Sequence, residues 1–238
     1  MSNCMTRYIP NTLTCLNLSS GCIACIMAFE YRYEEAFLFI IMGALFDFFD
    51  GMAARLLKAY SNIGKDLDSL ADMVSFGVAP SLIVYSLLRE MTVSDTGMID
   101  SFLPYLAFLI AVFSALRLAK FNNDSRQSTS FIGLPVPADA LFWSSVAAGA
   151  HAVLMHSGFH PIYLLLLVAL FSGLLVSEIP MFSLKFKSLS WQANKLRFCF
   201  LLVCIPLLLW LQVAGFAAIV IWYILLSLLT ARRAKQKD

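Results

Sequence analysis

The sequence predicts an all-α integral membrane protein with about eight transmembrane helices. Of its 238 residues, 60% are hydrophobic and only 13% are charged, and the mean hydropathy is +0.79. About a quarter of the residues of a typical soluble domain are charged, so this composition excludes an ordinary soluble fold. The formal net charge is only +2, and no domain is strongly basic, which argues against a nucleic-acid partner.

Eight hydrophobic segments follow one another along the chain. Each is close to the length of about 20 residues that a helix needs to cross a bilayer. They lie at about 10–29, 36–57, 67–89, 101–121, 137–156, 161–179, 197–213 and 215–231. The seventh segment is short and contains Pro206, which disfavours a regular helix interior.

The Lys and Arg residues predict the orientation, because they are enriched on the cytoplasmic side of membrane proteins. If the N-terminus is cytoplasmic, all 17 Lys and Arg residues except Arg32 and Arg89 fall on the cytoplasmic side. A basic C-terminal tail on that same side requires an even number of spans, which favours eight over seven. The sequence therefore predicts a multi-pass protein of the cell (inner) membrane with both termini in the cytoplasm.

Four aspartates lie within this apolar sequence, at the predicted cytoplasmic ends of the second and third spans. On a helix, Asp47 and Asp50 share one face, and Asp68 and Asp72 share one face of the next helix. A short turn around 60–62 joins the two helices, so we expect the acidic faces to meet. Carboxylates at membrane depth cost roughly 2.5–3.5 kcal/mol each on insertion scales, and they usually mark a functional site.

Four carboxylates without His or Cys suit hard cations such as Mg²⁺, Mn²⁺ or Ca²⁺. Two such ions about 4 Å apart can hold a phosphoryl group during its transfer. Arg55 follows the first acidic pair and can neutralise a diphosphate. Gly51, Ala54 and Gly64 carry almost no side chain, which allows a ligand or another helix to approach closely.

The pattern D-x2-D-G-x2-A-R-x8-G-x3-D-x3-D, which runs from Asp47 to Asp72, resembles the motif of the CDP-alcohol phosphotransferase family at every fixed position. The resemblance implies an integral membrane enzyme with a six-helix core, two divalent metal ions (Mg²⁺ or Mn²⁺) and homodimers. The implied reaction moves a substituted phosphoryl group from a CDP-linked donor to an alcohol and releases CMP. The core would occupy residues 1–180, and residues 181–238 would add two helices and the basic tail.

The resemblance also implies roles for individual residues. Asp47, Asp50, Asp68 and Asp72 would bind metal, and Asp72 would also act as general base. Four further positions of the motif would shape the CDP and diphosphate site: Gly51, Ala54, Arg55 and Gly64.

Three stretches outside the motif resemble the bacterial and archaeal branch of this family that uses L-serine. They are IPNTLTCLNLSSG from Ile9, SFGVAP from Ser75, and ALRLAKFN from Ala115 followed by FIGLPVP from Phe131. The resemblance therefore implies CDP-diacylglycerol as donor and L-serine as acceptor. Two alternatives remain open: another acceptor, such as glycerol 3-phosphate or an inositol compound, or an ion-coupled transporter.

Polar residues around the motif are candidates for substrate contacts. Asn11, Thr14 and Asn17 can hydrogen-bond the cytidine or ribose, or can cap the start of the first helix. Arg117 or Lys120 can bind the serine carboxylate, or can serve as positive flanks of the fourth span. Ser75 can touch the acceptor, or can hydrogen-bond a neighbouring helix.

Overall fold

A computed structural model of the chain describes residues 4–92, 102–124, 131–156, 158–182 and 191–235. These residues are almost entirely helical, as the sequence predicts. The α-helices are α1 (Cys4–Phe29), α2 (Tyr33–Leu56), α3 (Asn62–Asp72), α4 (Ala79–Thr92), α5 (Leu109–Asn123), α6 (Val136–Gly149), α7 (His151–Leu154), α8 (Pro161–Val176), α9 (Trp191–Leu211) and α10 (Gly215–Lys235). Arg126, Lys185, Lys187 and Lys237, which contribute to the predicted orientation, lie outside the described residues.

Each of the eight predicted segments contains a helix. Five stretches of the described chain are long and apolar enough to cross a membrane: Tyr8–Phe29, Tyr33–Leu56, Asn62–Thr92, Leu103–Asn123 and Asn194–Ala231. The last stretch contains both α9 and α10, and α8 is a shorter apolar helix. A 3₁₀ turn at Gln212–Ala214 separates α9 from α10, and Gln212 has a φ of +49°. Since α9 and α10 pack against each other, this turn reverses the chain.

The long stretch from Asn62 to Thr92 is continuous but not regular. A π-helical segment, Met73–Val78, lies between α3 and α4 and begins directly after Asp72. Gly77 in this segment faces Met73 and Ser114, and a Cβ atom there would lie 3.2 Å from the Ser114 Cβ. Segments of π-helix are frequent at functional sites, because they change which side chains point to a given face.

The first helix packs along α2 and also contacts α3, the π-helical segment and α4. Two glycines make this close packing possible. A Cβ atom on Gly21 would lie 2.6 Å from the Ser75 Cα, and one on Gly43 would lie 3.0 Å from Asn17 Oδ1. The backbones therefore approach at positions where any side chain would collide, and α1 is fixed between the two acidic helices.

The interior is apolar and the outer surface is also apolar, as expected of a protein surrounded by lipid. Trp143 of α6 is fully buried, and Phe142 stacks on Phe171 of α8 at 3.9 Å between ring centroids. By contrast, Leu209 and Trp210 of α9 are 76% and 93% exposed. Contacts between buried side chains, rather than a difference in polarity between interior and surface, therefore determine the arrangement of the helices.

A pair of two-residue strands, β1 (Phe131–Ile132) and β2 (Pro180–Met181), joins two of the inter-helix connections in antiparallel register. The sequence did not predict this pair. Gly133 follows β1 with a φ of +77°, and its N–H donates to the carbonyl of Ile179 at 2.9 Å. The helices α9 and α10 follow β2, and α10 packs on both β2 and α6. The division of the chain at residue 180 stays a prediction.

Candidate metal and substrate site

Three of the four aspartates meet where α2 and α3 face each other. Asp47 and Asp50 lie in the last turns of α2, and Asp68 lies in α3. One carboxylate oxygen from each lies within 4.8 Å of the other two. The turn between the helices ends at Ser61, whose hydroxyl accepts a hydrogen bond from the Gly64 N–H at 3.0 Å and so caps α3. The predicted meeting of the acidic faces is confirmed.

This group has the chemistry of a site for a hard divalent cation. All three ligands are carboxylates, which Mg²⁺ and Mn²⁺ prefer over softer donors. Asp68 Oδ1 is buried and has no hydrogen-bond partner among the described residues. A buried anionic oxygen without a partner is strongly unfavourable, and a bound cation would satisfy it. The residues therefore fit a metal ion.

Asp72 lies one turn beyond Asp68 and is not part of this group of three. The negative charges of Asp47 and Asp68 nevertheless act on its carboxylate. Its Oδ1 accepts a hydrogen bond from Asn17 Nδ2 at 3.1 Å. The use of Asp72 as a fourth metal ligand stays a prediction, and so does its use as a general base.

The first helix holds the acidic residues through its polar face. Thr14 Oγ1 donates to Asp50 Oδ2 at 2.6 Å, and Asn17 donates to Asp72. Both residues are buried, with exposed fractions of 3% for Thr14 and 0% for Asn17. The sequence predicted that these two residues contact the nucleotide or cap a helix. In the structure their side chains contact carboxylates of the second and third spans.

A cavity of about 720 Å³ opens beside the aspartates. Asp50 and Asp68 lie in its wall. Six of the seven residues predicted to contact CDP or diphosphate also line it: Asn11, Thr14, Gly51, Ala54, Arg55 and Gly64. Asn17, the seventh, is not among the residues that line the cavity.

The small residues of the motif keep this cavity open. A Cβ atom on Gly51 would meet no neighbour closer than Arg55 Nη2 at 4.0 Å, so there is free space next to the backbone at this residue. A Cβ atom on Gly64 would lie 3.2 Å from Asn11 Oδ1. The Arg55 side chain is exposed, and its Nε donates to the Gly51 carbonyl at 2.9 Å.

Several residues of the cavity wall were missed by the sequence analysis. They are Pro10, Ala59, Tyr60, Ser61, Asn62, Lys65 and Phe121. Lys65 is the most relevant chemically, because it adds a second exposed cation to Arg55. Its Nζ lies 3.5 Å from the Asn122 carbonyl, which ties α3 to the end of α5. The only sequence signal for Lys65 was its place directly after the motif glycine.

The two basic acceptor candidates differ in their surroundings. Arg117 is buried, with an exposed fraction of 6%, and its guanidinium lies 4.7 Å from the centroid of the Phe121 ring. Its Nε has no hydrogen-bond partner among the described residues, and the charge of Asp72 attracts it. Lys120 forms an ion pair with Glu178, which follows α8. Of the two candidates, Arg117 is therefore the one on which the charge of Asp72 acts.

Ser75 is fully buried, and its hydroxyl donates to the Asn17 carbonyl at 2.9 Å. This is the hydrogen bond between helices that the sequence left open as an alternative. Contact between Ser75 and an acceptor stays a prediction.

Comparison with known proteins relates this site to an enzyme family. The model of the CDP-alcohol phosphatidyltransferase family matches residues 7–230. A CDP-diacylglycerol–serine O-phosphatidyltransferase of Bacillus subtilis is 37% identical over 177 residues, which cover 73% of this chain and 89% of that protein.

Two other relatives match a shorter region. A protein of the same name from Helicobacter pylori (strain J99) is 37% identical over 134 residues, 56% of this chain and 54% of that protein. An archaetidylserine synthase of Methanothermobacter thermautotrophicus is 32% identical over 139 residues, 58% of this chain and 56% of that protein. The chain thus spans most of the Bacillus protein and about half the length of the other two.

We expect Mn²⁺ to raise the melting temperature of the EDTA-treated protein in detergent, because a bound cation relieves the repulsion among the three carboxylates. The Asp68→Asn variant should need an at least about tenfold higher Mn²⁺ concentration for the same rise in melting temperature, since even the loss of an outer-shell partner costs 10–100-fold in metal affinity. Asp66→Asn is the matched control, because Asp66 is exposed on the same helix and outside the group. An unchanged Mn²⁺ titration of Asp68→Asn would contradict the assignment of the group as a metal site.

Proposed function

Because the chain belongs to the CDP-alcohol phosphatidyltransferase family, we propose that it transfers the phosphatidyl group of CDP-diacylglycerol to the hydroxyl of L-serine. The products are phosphatidylserine and CMP. The observation that carries this proposal is the group of three aspartates beside a cavity of about 720 Å³. The alignment with 89% of the Bacillus subtilis serine enzyme supports the choice of acceptor.

The cavity suits the nucleotide diphosphate of the donor. Asp47, Asp50 and Asp68 would hold two ions of Mg²⁺ or Mn²⁺. These ions would supply positive charge to the diphosphate. Arg55 and Lys65 present exposed cations on the cavity wall and can pair with the same phosphate oxygens. Asn11 and the small residues of the motif give the nucleotide polar contacts and room.

The proposed reaction needs one group that accepts a proton, close to the three aspartates that would hold the metal. Asp72 accepts the proton of the serine hydroxyl, and the serine oxygen forms a bond to the lipid-bearing phosphorus. The bond between that phosphorus and the oxygen of CMP breaks, and CMP leaves with the electron pair of the bond. Asp72 is half-buried and is not among the residues that line the cavity, whereas Phe121, which contacts Arg117, does line it. Serine would therefore bind next to the nucleotide, at the Arg117 end of the cavity.

Arg117 is the residue that we propose for the serine carboxylate. A buried guanidinium needs an anionic or hydrogen-bonding partner, and its Nε lacks one among the described residues. The attraction between Arg117 and Asp72 indicates that a carboxylate on Arg117 would hold the serine hydroxyl close to the base. Lys120 is engaged with Glu178 and is a weaker candidate for this contact.

We also propose that the protein lies in the cell (inner) membrane, with the active site and both chain termini on the cytoplasmic side. The support is the distribution of Lys and Arg along the sequence. The contact of Lys65 with the end of α5 and that of Lys120 with the segment after α8 group these cations at one end of the helices. The homodimer that the resemblance implies stays a prediction.

The purified protein should release CMP from CDP-diacylglycerol when L-serine is present with Mn²⁺ or Mg²⁺, and EDTA should stop this release. Asp72→Asn should fold normally and lose at least about 100-fold in turnover, because general-base catalysis contributes 10²–10⁴-fold. Release with glycerol 3-phosphate or an inositol compound instead of serine would overturn the acceptor. No release with any alcohol would overturn the enzyme and favour the transporter.

Arg117→Gln should raise the KM for serine by roughly 10–100-fold, because hydrogen bonds to charged groups are worth about 1.5–3 kcal/mol. The KM for CDP-diacylglycerol should change little. Arg89→Gln is the control, since Arg89 is an exposed cation at the far end of α4. A normal serine KM in Arg117→Gln would contradict the role of Arg117, and a raised KM in Lys120→Gln alone would transfer that role to Lys120.

A green fluorescent protein fused after Asp238 should fluoresce in a bacterial host, whereas alkaline phosphatase fused at the same position should be inactive. The first reporter folds to a fluorescent form in the cytoplasm, and the second needs an oxidising compartment for its disulfides. The opposite pair of results would show that the C-terminus lies outside and would contradict the proposed topology.

A further inference from the structure

The sequence predicts that Asn17 contacts the nucleotide or caps the first helix, but the structure places its side chain against Asp72. Asn17 is fully buried and is not among the residues that line the cavity. Its Nδ2 lies 3.1 Å from Asp72 Oδ1. The other oxygen of this carboxylate, Oδ2, accepts no hydrogen bond from the described residues. The amide therefore engages one oxygen of Asp72 and leaves the other available.

Two contacts restrict Asn17, whose Oδ1 has no hydrogen-bond partner among the described residues. The Ser75 hydroxyl donates to the Asn17 carbonyl at 2.9 Å, which anchors the backbone of α1 at this residue. Asn17 Oδ1 faces Gly43, where a Cβ atom would lie only 3.0 Å away. An amide that is rotated by 180° would bring its oxygen against the Asp72 carboxylate, and two acceptors without a proton between them repel. Only the orientation with Nδ2 toward Asp72 is chemically sensible.

A fixed donor matters here because Asp72 experiences the negative charge of Asp47 and Asp68. Repulsion pushes a free carboxylate away from that group, and a bound cation pulls it toward the group. Either rotation moves the oxygen that must accept a proton. A hydrogen bond from a buried amide resists both rotations, because a hydrogen bond weakens steeply once its angle departs from linear.

We propose that Asn17 is the positioning residue of the base: it holds Asp72 Oδ1, so that Oδ2 is aimed at the hydroxyl of the acceptor. The inference rests on the proposed function and adds a role to it. Oδ2 takes the hydroxyl proton, the acceptor oxygen bonds to the lipid-bearing phosphorus, and CMP leaves with the electrons of the broken bond. Asn17 itself touches neither substrate.

The test is a comparison of Asn17→Ala with the wild-type protein in kcat, in the KM of each substrate, and in the Mn²⁺-dependent rise of the melting temperature. We expect kcat to fall by about 10- to 100-fold, since a misplacement near 1 Å can cost that much. Both KM values should stay within about threefold of wild type, because neither substrate contacts Asn17. The Mn²⁺ response should also be retained, because Asp47, Asp50 and Asp68 are unchanged.

Two further variants make the result specific. Asn17→Ser is too short to reach Asp72, and its hydroxyl can bond back to its own helix, so it should fold and show the same loss of kcat. Ser20→Ala is the matched control for packing, because Ser20 is buried on the same helix and bonds only to the Leu16 carbonyl among the described residues. Its kcat should equal that of wild type.

The outcomes separate three possibilities. A raised KM for CDP-diacylglycerol with a normal kcat would overturn the inference and make Asn17 a nucleotide contact. A normal kcat and normal KM values in Asn17→Ser would overturn it and leave Asn17 with a packing role only. If the wild-type protein releases no CMP with any acceptor, the proposed function fails and the inference fails with it. If wild type is active and Asn17→Ser matches it, only the inference fails.

Discussion

Repulsion among the carboxylates of Asp47, Asp50 and Asp68 is the constraint around which the site is built. In a partly shielded position, two such charges about 4 Å apart repel by roughly 4 kcal/mol. Three of them lie within 4.8 Å of one another, so the arrangement needs neighbours that hold the side chains, together with a bound cation or protons that reduce the charge. The first helix supplies some of these neighbours, because Thr14 donates to Asp50 and Asn17 donates to Asp72. Because α1 packs on both α2 and α3, it links the two acidic helices to each other.

The sequence could predict the acidic hairpin because its determinants are local. Helical periodicity places Asp47 with Asp50 and Asp68 with Asp72, and the short connection brings the acidic ends of the two helices close together. The small residues and Arg55 could be placed at a ligand site for the same reason. The polar face of α1 was also visible from the spacing of Asn11, Thr14 and Asn17. All of these inferences depend on the order of residues within a helix or across one turn.

The partners of the α1 residues could not be predicted, because they depend on how far α1 is rotated about its axis. That rotation is set by close contacts such as Gly21 with Ser75 and Gly43 with Asn17. Similarly, the pairing of Lys120 with Glu178 joins α5 to the segment that follows α8, and no sequence pattern gives the relative position of these two segments. The short strand pair and the π-helical segment after Asp72 also lack a sequence signal. Each is a consequence of tertiary packing rather than of propensity.

Two neighbouring groups of residues surround the acids, the cavity wall and the surroundings of Arg117, and different parts of the chain supply them. The cavity is lined by α1, α2, α3 and the end of α5. Arg117 is buried next to Phe121, which itself lines the cavity. The charges of Asp72 and of Tyr223 of α10 act on this guanidinium. The Tyr223 hydroxyl donates to the Phe182 carbonyl at 3.0 Å, directly after β2. A helix from the C-terminal pair therefore contributes to the surroundings of Arg117, where the acceptor is proposed to bind. Since no residue of α10 is among those that line the cavity, loss of α10 should disturb the surroundings of Arg117 before it disturbs the cavity.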